Sequence, residues 1–281
     1  MNAIRWIDQR KHWWKVFVLI FTVSVIVVGY IGYKTYQYAP PICDFVDEEG
    51  QVVFAGSDVL AGQNVFLRYG LMEYGSFLGD GGMRGPDFTG EALHLTAGSM
   101  IESYDAQWAE RIPDSVTRTS VVRALVQDEL DRNRYDPEYW LVLGRPETGS
   151  PDPGAVRVSA AQARAFDHLV EYYGQKFGEG GERVGGERFE PAGYIDDPEE
   201  VRQLSAFFYW GGWLCAAHRP GYDYSYTHNW PYDPLAGNEP HGGLVLWSVI
   251  WTLVVILAIG VLFCVLVAMH RLLVLVPFAA G

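Results

Sequence analysis

Two long uncharged apolar runs, one near each end, dictate the organisation of this 281-residue chain. Residues 16–33 (VFVLIFTVSVIVVGYIGY) and 244–269 contain no Asp, Glu, Lys or Arg, and each is about the length that crosses the hydrocarbon of a bilayer. Trp13 and Trp14 precede the first run and Tyr30 and Tyr33 close it, as interfacial aromatics do. Arg5, Arg10, Lys11 and Lys15 stand on its amino side against Asp8 alone, so the positive-inside rule puts the amino terminus in the cytoplasm. The run is followed by KTYQYAPP rather than a small-x-small cleavage site, which reads as an uncleaved anchor and not a signal peptide. Arg271, beyond the second run, marks a return to the cytoplasm. The expected division is 1–15 cytoplasmic, 16–34 and 244–269 transmembrane, 35–243 extracytoplasmic and 270–281 a short cytoplasmic end. That is a two-pass protein of the inner (cytoplasmic) membrane.

The mean hydropathy of +0.01 averages these apolar ends with a polar middle. The charge is just as uneven: 33 of the 34 acids but 15 of the 21 Lys and Arg residues lie in 35–243, a formal charge of about −18 for that segment. A surface of that sign repels phosphates, and nucleic acid is excluded as a partner.

Several segments of the middle carry helix signals. Ser57 can cap a helix through Tyr69, and apolar residues recur at helical spacing at Leu93, Ala97, Ile101, Tyr104 and Trp108, and again at Val122, Leu125, Val126 and Leu130. Ser159 and Gln162 form a capping-box pair opening a helix with Phe166, Leu169, Tyr173 and Phe177. Asp197-Pro198-Glu199-Glu200 combines an N-cap, a first-turn proline and acids at the positive helix end. Only residues 50–54 read as a strand, and 147–154 and 177–186 read as loops. The expectation is one mainly α extracytoplasmic domain between two transmembrane helices.

No catalytic constellation accompanies these elements. Cys43, Cys215 and Cys264 form no CxxC; an oxidising compartment permits a Cys43–Cys215 disulfide, although isolated cysteines so far apart are more often unpaired. The seven histidines are scattered singly, and no CxxCH attaches a c-type haem. Two stretches stand out instead. Residues 69–88 (YGLMEYGSFLGDGGMRGPDF) hold six glycines, which permit positive φ and let carbonyls point at a hard cation such as Ca²⁺. Without an ion, such a stretch is simply a tight irregular turn. Residues 219–238 (RPGYDYSYTHNWPYDPLAGN) are too rich in Pro, Asn and Asp for a helix and suit a rigid collar at the membrane surface, with Trp230 and the tyrosines at headgroup level.

The order of these blocks carries a family resemblance. An anchor helix is followed by FxGxDVxAGQxVFLRYGLMEYGS, a GxGxxxGPDF turn, a helical region, FFxW, RPGxDYSYTxNWPYDPLxGN and a second helix opening LWS. Over residues 10–265 this resembles the amino-terminal region of quinol-dependent nitric oxide reductases. The resemblance implies a cytochrome c-like fold without its haem, because Leu71-Met72-Glu73-Tyr74-Gly75 stand where the cytochrome-dependent relatives carry CxxCH. It also implies that the backbone carbonyls of Gly81 and Met83 contribute to an interfacial calcium site, although Gly81-Gly82-Met83 replaces the family's Gly-Ala-Tyr. The b-type haems, the non-haem iron and the quinol site of the family belong to a multi-helix catalytic core, absent from these 281 residues. The implied role is a component, either split from its core or truncated, of an enzyme reducing NO to N₂O, with that core and the lipid bilayer as partners. The sequence leaves three alternatives open: the corresponding part of a nitric oxide dismutase, a membrane-anchored binding or sensing module, or a decayed, nonfunctional fragment.

Overall fold

The computed structural model describes residues 13–82, 84–140, 144, 149–180, 183–184, 187–188, 193–240 and 242–275, in two compact units, 1–41 and 42–281. The first unit contains one helix, α1 (Trp13–Gln37), and its segment Phe17–Gln37 is long and apolar enough to cross a membrane. Its Phe, Val, Leu and Ile side chains are exposed on every side. Such a surface suits a hydrocarbon solvent rather than water.

The second unit begins with β1 (Asp44–Val46) and β2 (Val52–Phe54), then α2 (Gly56–Arg68), a 3₁₀ turn (Leu71–Glu73) and the short hairpin β3 (Ser76–Phe77) and β4 (Asp80–Gly81). Next come α3 (Phe88–Trp108), α4 (Ser115–Asp131), β5 (Tyr135–Asp136), β6 (Ala155–Arg157) and α5 (Ala160–Gln175). A wide turn (Lys176–Gly180), the hairpin β7 (Arg183–Val184) and β8 (Glu187–Arg188), α6 (Pro198–Ala216) and α7 (Gly242–Leu275) complete it. Of α7, Val245–His270 is long and apolar enough to cross a membrane. The helix continues past the expected end at 269, so the apolar residues that follow extend it. At about 1.5 Å per residue its 34 residues exceed the ~30 Å of bilayer hydrocarbon.

The sheet holds more strands than the single one expected. Its order is β2-β1-β6-β5, with β1 parallel to β6 and the other pairs antiparallel. Two or three residues of buried strand leave no alternation to read, and β1 meets β6 only through long-range closure of the chain. Asp44 makes the sheet a foundation for α2. It is fully buried, and its carboxylate accepts from Gly56 N–H (3.0 Å), from Trp140 Nε1 (3.0 Å) and from the Ser150 hydroxyl. A buried carboxylate at a helix amino end is tolerated because donors and the helix dipole replace its water.

Local chemistry sets the helix starts. At α2 the cap is Ala55 rather than Ser57: the Asp58 carboxylate reaches back to Ala55 N–H (2.8 Å), while Ser57 N–H donates to the Ser150 hydroxyl. The helix therefore starts two residues before the expected position. Ser159 and Gln162 form the reciprocal capping box of α5, and Asp197 caps α6 with Pro198 in its first turn, both as the sequence indicates. Asp114 caps α4, accepting from the Thr117 hydroxyl (2.5 Å) and Thr117 N–H (2.9 Å), and these two bonds hold its carboxyl below the ordinary range. A depressed carboxyl stabilises the fold above its unfolded pKa and loses that contribution as pH falls through the folded value. Asp114→Ala is therefore expected to lower the melting temperature at neutral pH and to lower it less at pH 3. Calorimetry at both values checks this, and an unchanged gap would refute the ionised cap.

The core is aromatic. Phe207 stacks on Phe77 (centroids 4.1 Å, 11°) and Phe208 on Phe88 (4.8 Å, 6°), while Phe45 stacks on Phe54 beside Phe166 and Tyr209. Phe177, in a stretch that reads as loop, is fully buried and stacks on Tyr173 as α5 runs into the wide turn. Within this apolar setting Lys176 Nζ lies 2.6 Å from Glu91 Oε1, which also accepts from the Tyr172 hydroxyl. The Lys176 ammonium faces the Phe88 and Tyr172 rings. Such a pair fixes how α3 meets α5, because separating the two charges would strand each one in the interior. Cys43 and Cys215 are both buried and both free; burial pushes the Cys43 thiol far up and that of Cys215 to about 12, so neither is an exposed thiolate.

Candidate functional site

The two unusual stretches meet in one structure. In the first, Gly70 adopts a left-handed conformation and starts the Leu71–Glu73 turn, and β3–β4 then doubles back. Gly82 N–H donates to the carbonyls of Met72 (2.5 Å) and Gly75 (2.9 Å), and Ser76 N–H to that of Pro86 (3.0 Å). The layers are too close for side chains: a Cβ on Gly85 would lie 1.6 Å from the Tyr74 carbonyl oxygen.

Asp87 joins this turn to α3. One carboxylate oxygen accepts from Thr89 N–H (3.1 Å), Gly90 N–H (3.0 Å) and the Thr89 hydroxyl, capping the helix. The other accepts from the Ser76 hydroxyl (2.8 Å) and Gly79 N–H (2.7 Å), holding the hairpin. A single ionised group thus satisfies donors on both sides of the joint, and bonds to charged acceptors are the stronger kind.

The collar folds on its own hydrogen bonds. Asp233 Oδ1 accepts from Leu235 and Ala236 N–H, Asn238 Oδ1 accepts from Asp233 N–H, and the Asn238 amide donates to the carbonyls of Cys215 and Pro231. Asn229 donates to the Glu239 carbonyl and accepts from Ser225 N–H. Asn, Asp and Pro are the residues that direct turns in this way. The collar then seats on the glycine turn. The Trp230 ring occupies the place that a Gly79 side chain would need, at 2.5 Å from its Cβ position and at a φ of +78°. Pro231 lies 3.2 Å from the corresponding point on Gly90, and His94 Nδ1 is 2.7 Å from Asp233 Oδ2. The result is one hydrogen-bonded block with Trp230, Tyr222 and Tyr232 still 43–47% exposed on it.

Of the two residues singled out for metal binding, Gly81 is exposed at the end of β4 with a φ of +142°, and Met83 lies outside the described residues. No group of three or more His, Cys, Asp or Glu side chains able to hold a metal occurs among the described residues. Leu71 is fully buried in the cluster that includes Phe66, Phe88 and Phe208. His94 pairs with Asp233, His228 stacks on Tyr224 (4.5 Å), and His168 is exposed; His12 and His241 lie outside the described residues.

The sequence signals for each stretch were its glycine and its Pro/Asn/Asp content. The residues that join the two, Asp87, Gly79 and His94, carry no separate signal, because their partners are distant in sequence or are backbone groups. No curated protein matches the chain. Residues 43–232, roughly two-thirds of it, match the family model for the cytochrome c-like domain of NorB-type nitric oxide reductase. That span contains the glycine turn and the collar as far as Tyr232, between two helices fit to cross a membrane, and the chain belongs to this NorB nitric oxide reductase family.

Proposed function

We propose that this chain is the outer cap of a quinol-dependent nitric oxide reductase, which reduces two NO to N₂O, and that it carries no redox centre of its own. The observation that carries the reading is the single block formed by the glycine turn, inside the family-matched span, and the collar that begins there and runs six residues past its end. The collar leads directly into α7, so the block is tied to a helix long enough to enter a membrane. A rigid surface with half-exposed Trp and Tyr is the composition from which protein interfaces draw their anchors.

The partner is a multi-helix core holding the b-type haems, the non-haem iron and the quinol site. The chain sits in the inner membrane with its amino terminus in the cytoplasm and its large domain outside, as the basic residues before α1 favour. Support for a domain without haem comes from donor chemistry: Leu71-Met72-Glu73-Tyr74-Gly75 offers no cysteine for thioether attachment and no axial histidine. The carbonyls of Gly81 and Met83 are this chain's share of an interfacial calcium site, the core supplying the remaining ligands.

Affinity capture of the tagged chain from solubilised native membranes tests the reading. Co-purification of a multi-helix partner with b-type haem spectra and NO-reducing activity is the expected result. Recovery of the chain alone, colourless and inactive, would overturn it.

A further inference from the structure

We propose that a surface cleft at the open edge of the sheet binds a phosphoryl oxyanion, either free or carried on a lipid headgroup. The cleft has a volume of about 500 Å³ and is lined by Glu48, Arg134, Tyr135, Asp136, Arg157 and Val158.

Strand register provides the first observation. Tyr135 pairs with Val156 and Asp136 with Ala155, which sets Arg134 directly opposite Arg157; Arg157 N–H donates to the Arg134 carbonyl (3.3 Å). Opposed residues of an antiparallel pair project on the same face with Cβ atoms about 5 Å apart, and like charges placed so are destabilising. Glu129 and Asp136 offset part of that repulsion, and an anion between the two arginines would offset more of it.

Each arginine has an acid partner, held at a longer distance than the other arginine pairs. Arg134 is 3.6 Å from Glu129 and Arg157 is 3.8 Å from Asp136, both beyond hydrogen-bond distance. The pairs Arg68–Glu200, Arg118–Asp105 and Arg132–Asp128 close to 2.5–2.7 Å. Glu129 is further engaged by the Tyr104 hydroxyl at 2.6 Å. The Arg157 guanidinium rests over the Tyr139 ring, 5.7 Å from its centroid. Two guanidinium forks lining one open cleft offer donors that suit the oxygens of a phosphate group.

The surroundings have the right polarity. Glu48 also lines an adjoining cleft of about 460 Å³, whose wall includes Ser159, Ala160 and Ala161 at the amino end of α5, together with Arg164. The partial positive charge of that helix end adds to the arginines. Glu48 and Asp136 line the same cleft and oppose any anion there, so the two arginines and the helix end must outweigh them.

Titration of the purified full chain in detergent micelles with inorganic phosphate, followed by calorimetry, tests the site. Saturable one-to-one binding is expected, with Arg134→Gln and Arg157→Gln each weakening it at least about tenfold and Arg132→Gln leaving it unchanged. In phosphate-free buffer Arg157→Gln should melt no lower than the parent, because it removes the opposed like charge. Phosphate should raise the melting temperature of the parent and not that of the variant. In nanodiscs, loss of phosphate binding with phosphatidylglycerol but not with pure phosphatidylcholine identifies the lipid headgroup as the occupant. The proposal is overturned by an absence of saturable binding in every medium, by equal binding in the arginine variants, or by a lower melting temperature of Arg157→Gln with binding intact.

Discussion

Asp87→Ala is expected to destabilise the extracytoplasmic domain by about 3 kcal/mol and to free the collar from the glycine turn. Two losses combine. Removal of an N-cap carboxylate costs about 1 kcal/mol, here by releasing Thr89 and Gly90 N–H at the start of α3. Leaving the part-buried Ser76 hydroxyl without an acceptor costs about 1–3 kcal/mol, and the exposed Gly79 N–H loses its tie to the helix start. Asp87→Asn keeps an acceptor oxygen for one side of the joint but loses the charge, so an intermediate loss is expected. Trp230 packs over Gly79, and its fluorescence and near-ultraviolet dichroism should lose intensity in the alanine variant. Urea titration of the chain in micelles measures the stability. A loss below about 0.5 kcal/mol, the range of ordinary surface substitutions, would show that the turn holds without this carboxylate. The same variant bears on function: a loosened block should co-purify less of the catalytic core, whereas Asp114→Ala, on an exposed cap, should not change the yield.

The helical plan is legible in the sequence because it is local. The Ser159–Gln162 box and the Asp197-Pro198 start are written in consecutive residues, and the structure forms both caps. The start of α2 departs from the expected one for an equally physical reason: Asp58 supplies the acceptor from inside the helix, and Asp44 and Ser150 reach it from distant parts of the chain. The strands β1, β5 and β6 are too short to show a period, and pairing alone holds them in place.

The same division applies to the site. Glycine content marks the turn, and Pro/Asn/Asp content marks the collar, yet nothing in either stretch says that Trp230 covers Gly79 or that His94 meets Asp233. The buried Glu91–Lys176 pair and the facing arginines depend likewise on tertiary placement and on a two-residue strand register. Chemistry confined to a few consecutive residues can be read ahead of the fold. Chemistry assembled across the fold cannot.

The tightest helix-to-helix packing constraint lies between α2 and α6, and Gly62→Ala should expose it. A Cβ at Gly62 would lie 2.0 Å from the Gln203 carbonyl oxygen and 2.8 Å from Phe207 Cβ, so the two helices would have to separate. Backbone cannot yield as the end of a flexible side chain can. Moving α6 is costly because nearly every residue from Leu204 to Ala216 is buried and Phe207 and Phe208 are stacked face to face with Phe77 and Phe88. Overpacking usually costs about 1–3 kcal/mol, and with both helices pinned a loss at or above ~3 kcal/mol is expected. Gly98→Ala on α3 is the matched control, since a Cβ there meets nothing within 4 Å. Helix propensity alone should make that change stabilising by roughly 0.5–1 kcal/mol. Opposite signs for two identical substitutions, measured by urea titration, would separate the close helix crossing from any general effect of replacing glycine. If Gly62→Ala is neutral, α2 and α6 do not approach this closely in solution, and the ring stack above them has room that the structure denies.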